Sequence, residues 1–344
     1  MKHLNILQPF RLGKHLLSLF ALLLCAGGYA APSATLVPAL EGQSFDNPDT
    51  IIVARDGTGQ FRNVGEAIEV CRAFMEYHKV IYVKKGIYKE KLVIPSWLTH
   101  IEICGEDAAT TIITNDDHAN ILMAMPTSQP GELAKMKPMG TFRTYTLKIE
   151  GSYITLKNIT IENNAAKLGQ AVALHTEGDR LNFIGCRFLG NQDTVFTGIG
   201  GTKLYFDHCY IEGTTDFIFG PATAWFEQCT IHSKANSYIT AASTPADQPY
   251  GYIFNQCQLT ADEGIDKVYL GRPWRPYAYT LFMNCHMGKH ILPAGWDNWR
   301  NPDNEKTARY MEYNNDGEGA NPTQRVSWSR QLNKKEASTI NYVR

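Results

Sequence analysis

The sequence predicts an all-β chain wound as a parallel β-solenoid, and three observations carry that prediction. A short unit repeats: Phe183-x-x-Cys186, Phe206-x-x-Cys209, Phe226-x-x-Cys229, Phe254-x-x-Cys257 and Phe282-x-x-Cys285 recur at intervals of 23, 20, 28 and 28 residues, with Leu156-x-x-Ile159 as an earlier, cysteine-free version. Self-similarity at such a period marks stacked coils, none of which can bury its apolar face alone. From residue 101 onward the chain reads as short apolar strands between turns (Ile101 to Ile103, Thr111 to Ile113, Thr146 to Ile149, Ile154 to Ile161), with no run of helical spacing between Tyr77 and the C-terminal tail. Finally, Asp193 and Asp216 each fall seven residues after their unit's cysteine, as equivalent positions on neighbouring coils would.

The 344 residues carry a net charge of −1, so no polyanion-binding footprint is visible and no nucleic-acid partner is expected. The first thirty differ in kind. Lys2, Arg11 and Lys14 precede an apolar run from Leu16 to Leu24, and small residues follow through Gly28 and Ala30. That is the layout of a secretory signal peptide cleaved near Ala30; the apolar run is too short to span a membrane. The expectation is therefore a signal peptide over 1–30, one domain over 31–344, and a secreted or periplasmic product. Cys25 after Leu22-Leu23-Leu24 resembles a lipoprotein signal but lacks the usual small residue before the cysteine, which makes a surface lipoprotein the lesser expectation.

Next come a strand, Ile51 to Ala54, and a turn, Asp56-Gly57-Thr58-Gly59. Asn63 with Glu66 three residues on makes a helix start, and Val64, Ala67, Ile68, Cys71, Phe74 and Met75 keep helical spacing, which predicts one amphipathic helix covering the open end of the coil. A capped end favours a monomer. Val80 to Val83 and Leu92 to Ile94 are strands, with Glu90 a structural residue in the turn between them. The Met-, Pro- and Gly-rich stretch from Met123 to Gly140 reads as a long loop, and loops of that length are usually functional or disordered.

The repeat cysteines point inward in a ladder. Stacked strands lie ~4.8 Å apart, wider than the ~3.8 Å Cβ separation a disulfide prefers, so they are expected as packed thiols. Without Cys25 the chain holds seven cysteines, which excludes a complete disulfide framework. No Cys-x-x-Cys or His-rich cluster suggests a metal.

The chemistry is sought among Gln170, Gln192, Asp193 and Asp216. A single buried Asp is more often part of a polar ladder, but two acids on neighbouring coils cost stability unless their protonation states are forced apart, as an acid and a nucleophile require. Leu270-Gly271-Arg272-Pro273-Trp274 supplies the cation that would keep one of them ionised; a strand-ending turn with a surface Arg is the plainer reading. There is no Gly-x-Ser-x-Gly elbow, His-Glu-x-x-His or phosphate-binding Gly loop, so hydrolysis would run on carboxylates.

Five blocks, Gly86-x-Tyr88-x-Glu90, Gln170-Ala-Val-Ala-Leu174, Gln192-Asp193-Thr194, Asp216-Phe-Ile-Phe-Gly220 and Leu270-Gly-Arg-Pro-Trp274, resemble the signature blocks of the pectinesterases in order and approximate spacing. Further similarity runs from Val53-Ala-Arg-Asp-Gly57 through Ala294-Gly295-Trp296 to Tyr313-Asn-Asn315 and Arg325-Val326. The resemblance implies a right-handed parallel β-helix that hydrolyses methyl esters of polygalacturonate without metal or organic cofactor, and pectin as its partner. It implies Asp216 as nucleophile, Asp193 as acid and then base, Gln192 with Gln170 as oxyanion donors, Arg272 as the group holding Asp216, and Thr141, Trp274 and Phe219 along the sugar chain. The chain departs from the family where Val195-Phe196 replaces a Leu-Tyr pair, removing a phenol hydroxyl from the cleft, and where Pro221 replaces an Asn. Other readings are a pectin-cleaving lyase or glycosidase of the same architecture, an esterase for another ester or thioester, and a non-catalytic carbohydrate-binding solenoid.

Overall fold

The computed structural model describes residues 48–74, 78–125 and 135–341. The expected signal peptide with Cys25, and Met75 of the expected helix, lie outside the described residues. Three parallel sheets of 11, 8 and 7 strands run the length of the molecule, and each coil visits them in turn. One coil, for example, is Leu181–Ile184, Arg187–Leu189 and Val195–Thr197; the next is Lys203–Asp207, Tyr210–Gly213 and Ile218–Gly220. This is the predicted parallel β-helix.

The repeat unit explains how a coil turns. Its phenylalanines lie in direct register from Leu156 through Phe183, Phe206, Phe226 and Phe254 to Phe282. Consecutive rings are stacked, with centroids 4.3–4.6 Å apart. Each such side chain is wholly buried, a gain of ~2–3 kcal/mol apiece by transfer. The residue before each cysteine bends the chain from the first sheet into the second by adopting positive φ: Gly185 (61°), His208 (51°), Gln228 (50°), Gln256 (55°) and Asn284 (56°), preceded by Asn158 (49°). One left-handed residue is enough to turn a strand sharply, and most of these are types that tolerate it.

The seven described cysteines are free, as expected. Cys209, Cys229, Cys257 and Cys285 donate their thiols to the carbonyls of Phe183, Phe206, Phe226 and Phe254 on the preceding coil, at 3.3–3.5 Å. They are core hydrophobes that also serve backbone acceptors at the bend. On the last coil Asn315 takes over that office, donating to the Phe282 carbonyl and accepting from the Cys285 N–H.

At the N-terminal end, the helix is shorter than its spacing predicts. It spans Val64–Glu69 and buries Val64, Ala67 and Ile68 against the first strands. Phe74 is not on its face: the residue is 86% exposed at φ 57°. Asn63 does not cap the helix with its side chain, which instead reaches Glu66 and Arg55. Glu90 does the capping from the turn, accepting from the N–H groups of Val64 and Gly65 at 2.9 Å. A carboxylate at a helix start answers both the free donors and the dipole. At the other end Glu312 follows Phe282 in register, and its carboxylate is held by Arg325, both side chains only 2–3% exposed. The predicted loop from Met123 is partly strand: Leu122–Met125 and Lys135–Pro138 pair antiparallel as a hairpin that stands apart from the coil sheets.

Candidate active site

The acids are placed by the third sheet. Strands Val195–Thr197 and Ile218–Gly220 pair with an offset of 23 residues, so Asp193 and Asp216, each two residues before its strand, occupy equivalent positions on adjacent coils. Both are in the left-handed region, at φ 67° and 49°, a conformation that Asp tolerates and that is concentrated at functional sites. The preceding coil is registered differently, Leu174 opposite Val195, an offset of 21. Gln170 therefore does not share the aspartates' column. It reaches the site from the turn before its strand.

All eight residues expected at the site do meet there. A cavity of about 250 Å³ is lined by Thr141, Gln170, Gln192, Asp193, Asp216, Phe219, Arg272 and Trp274, together with Phe142, Ala241 and Trp299. Arg272 grips Asp216 with two parallel hydrogen bonds, Nε to Oδ1 at 2.9 Å and Nη2 to Oδ2 at 2.6 Å. This fork geometry is what only arginine supplies. The backbone N–H of Arg272 donates to Thr240, and at Gly271 a Cβ would lie 2.0 Å from the Thr240 hydroxyl, so the strand carrying Arg272 can approach only with glycine there. No side chain among the described residues engages the amides of Gln170 or Gln192.

Burial and charge divide the acid pair. Burial pushes the Asp193 carboxyl well above its ordinary value, the Asp216 charge pushes it further, and Arg272 opposes only weakly. At Asp216 burial also raises the value, but the bidentate Arg272 counters it directly. Both carboxyls are thus held above the ordinary value, and the cation bonded to Asp216 favours ionisation there rather than at Asp193.

Two residues at Arg272 went unread in the sequence. The guanidinium is sandwiched between Tyr238, 3.9 Å from its ring centroid, and Trp299, 3.7 Å. Their stacking, more than Pro273, fixes its plane. Trp299 sits in a loop whose turn is closed by its N–H to Asp297 Oδ1 at 2.7 Å, with Trp299 and Arg300 both at positive φ. The signal was there: Asp297-Asn298-Trp299 follows the Gly295-Trp296 pair that carried part of the resemblance. Phe196, standing where the family has Tyr, packs against Phe142, His175 and Phe219 with centroids 4.8–4.9 Å apart, so its apolar contact survives without the hydroxyl.

A larger cleft of about 550 Å³, bordered by His100, Tyr153 and Arg180 just before strands of the first sheet, is lined by a single acid, Asp207, and so offers no pair of facing carboxylates.

A solenoid groove that brings two aspartates to adjacent coils and lets an arginine fork onto one of them is suited to chemistry run on carboxylates. Residues 50–343 match the model of the Pectinesterase family, and the chain belongs to that family. It is 36% identical over 287 residues to Pectinesterase 31 of Arabidopsis thaliana, covering 83% of this chain and 88% of that protein. Among solved structures it resembles the pectin methylesterase from carrot (TM-score 0.75, 29% identity, 86% of this chain and 92% of the other). It also resembles a pectin methylesterase in complex with a hexasaccharide (TM-score 0.71, 27% identity, 85% and 95%).

Proposed function

We propose that Asp216 and Asp193 hydrolyse the methyl esters of pectin by covalent catalysis, the chain acting as a carboxylic ester hydrolase like the rest of its family. The observation that carries the residue roles is the unequal hold of Arg272: it forks onto Asp216 and leaves Asp193 to stay protonated. The Asp216 carboxylate attacks the ester carbonyl carbon. Negative charge grows on the carbonyl oxygen, where the amides of Gln192 and Gln170 donate. Collapse breaks the bond to the methoxy oxygen, Asp193 gives that oxygen its proton, and methanol leaves. The product of this half-reaction is an anhydride between Asp216 and the sugar carboxyl. Asp193, now ionised, takes a proton from water as the water attacks the anhydride; this frees the galacturonate carboxyl and restores both acids.

Trp274, Phe219 and Thr141 border the same cavity and would guide the sugar chain; the aromatic faces suit the apolar faces of sugar rings. The layout of the first thirty residues supports export, and the helix Val64–Glu69 over the first strands supports action as a monomer. The test is to incubate the mature protein with highly methylated pectin and a chelator while assaying methanol, unsaturated ends and reducing ends together. Methanol without chain cleavage is expected; cleavage would move the protein to the lyase or glycosidase reading.

A further inference from the structure

The antiparallel strand pair Leu122–Met125 and Lys135–Pro138 lies immediately before the site in the chain. Its base is tied to the cleft wall: the Ala119 N–H donates to the carbonyl of Gln170, Gly140 N–H to that of Ala119, and Thr141 and Phe142 follow directly. The register sets Met125 opposite Lys135 and Met123 opposite Lys137, so these four side chains share one face, while Ala124, Met136, Leu122 and Pro138 share the other. The first face is turned toward Arg143, whose Nη1 donates to the Met125 sulfur at 3.8 Å. Lys135 and Lys137 are exposed, and neither they nor Arg143 form an ion pair among the described residues. The acids that open the same excursion, Asp116 and Asp117, are already engaged by Lys89 and Lys91. Among the described residues, three cations without an ionic partner thus flank the segment that leads into the cleft, in a protein whose net charge is −1.

We infer that this face of the hairpin binds the de-esterified stretch of the polymer, holding galacturonate carboxylates on Lys135, Lys137 and Arg143. The inference rests on the pectinesterase reading and adds to it a preference within the substrate. Each turnover converts a neutral ester into a carboxylate, so a cationic face along the groove attracts chains that already carry product blocks. The two lysines are ~7 Å apart along the strand and are flanked by methionines, an adaptable surface for sugar rings between charges. Exposed contacts of this kind are individually weak, are additive along a polyanion, and are screened by salt.

The experiment compares wild type with Lys135→Gln/Lys137→Gln in two assays. In the first, methanol release is followed on a short, fully methylated oligogalacturonide and on partly de-esterified pectin. The expected result is an unchanged rate on the oligomer and a roughly three- to tenfold rise in KM on the pectin at low ionic strength, vanishing at about 0.5 M salt. In the second, retardation is measured without turnover as the ratio of mobilities in gels with and without fully de-esterified polygalacturonate, which cancels the variant's own change of charge, and the variant is expected to be retarded less than wild type. Equal KM and equal retardation would overturn the inference. If wild type released no methanol from the oligomer, the pectinesterase reading would fail, and the hairpin face would still stand or fall by the retardation alone.

Discussion

Arg272 is the residue on which the proposed chemistry turns, because it forks onto only one of two aspartates that the coil makes equivalent. Its own orientation is set by two aromatic faces, each worth ~0.5–2 kcal/mol to a partly desolvated guanidinium. Trp299→Leu is therefore expected to lower kcat about tenfold and to shift the acid limb of the pH profile upward, since a loosened Arg272 stabilises the Asp216 carboxylate less. A change in KM alone would assign Trp299 to sugar binding only. Gln192→Leu removes an oxyanion donor and should cost roughly 10²–10³ in kcat with KM little changed, measured by steady-state methanol release. At this scale the sequence was legible in which residues meet at the cavity, Asp193, Asp216, Gln192 and Arg272 among them. It was silent on Tyr238 and Trp299, whose role depends on ring planes meeting across distant coils. It left the place of Gln170 relative to the aspartates open, because that coil's register differs by two residues from the next.

The phenylalanine column and the left-handed bends that follow it are the working elements of the fold. Phe206 packs between Phe183 and Phe226 with no exposed surface, and Phe206→Ala should destabilise the chain by ~3–5 kcal/mol in denaturant titration. A loss under 1 kcal/mol would mean that the column is not what holds adjacent coils. The period that revealed these units was readable because each coil needs the same inward residues. The helix end was not readable: Cys71 and Phe74 continue the apolar spacing, but the structure turns after Glu69, and Phe74 faces solvent. The cap was assigned to the local Asn63 when the distant Glu90 supplies it, a contact made only after the coil closes.

Over the whole molecule, stability and activity are opposed at the acid pair. Burial raises the Asp193 carboxyl far above its unfolded value. A group raised in this way contributes fully below the ordinary carboxylate range, and its contribution is lost as pH rises from that range through the folded value. Asp193→Asn should therefore gain thermal stability relative to wild type progressively across that window, while losing turnover. A melting-temperature difference that is flat with pH would contradict the burial argument. Activity in wild type should be bell-shaped, rising as Asp216 ionises and falling as Asp193 does. The measurement that tests the account most directly is methanol release from methylated pectin by Asp216→Asn, with pectin binding and melting checked alongside. The account predicts turnover at background with binding and fold retained. Turnover near the wild-type rate would remove Asp216 as nucleophile, and with it the division of labour on which the mechanism rests.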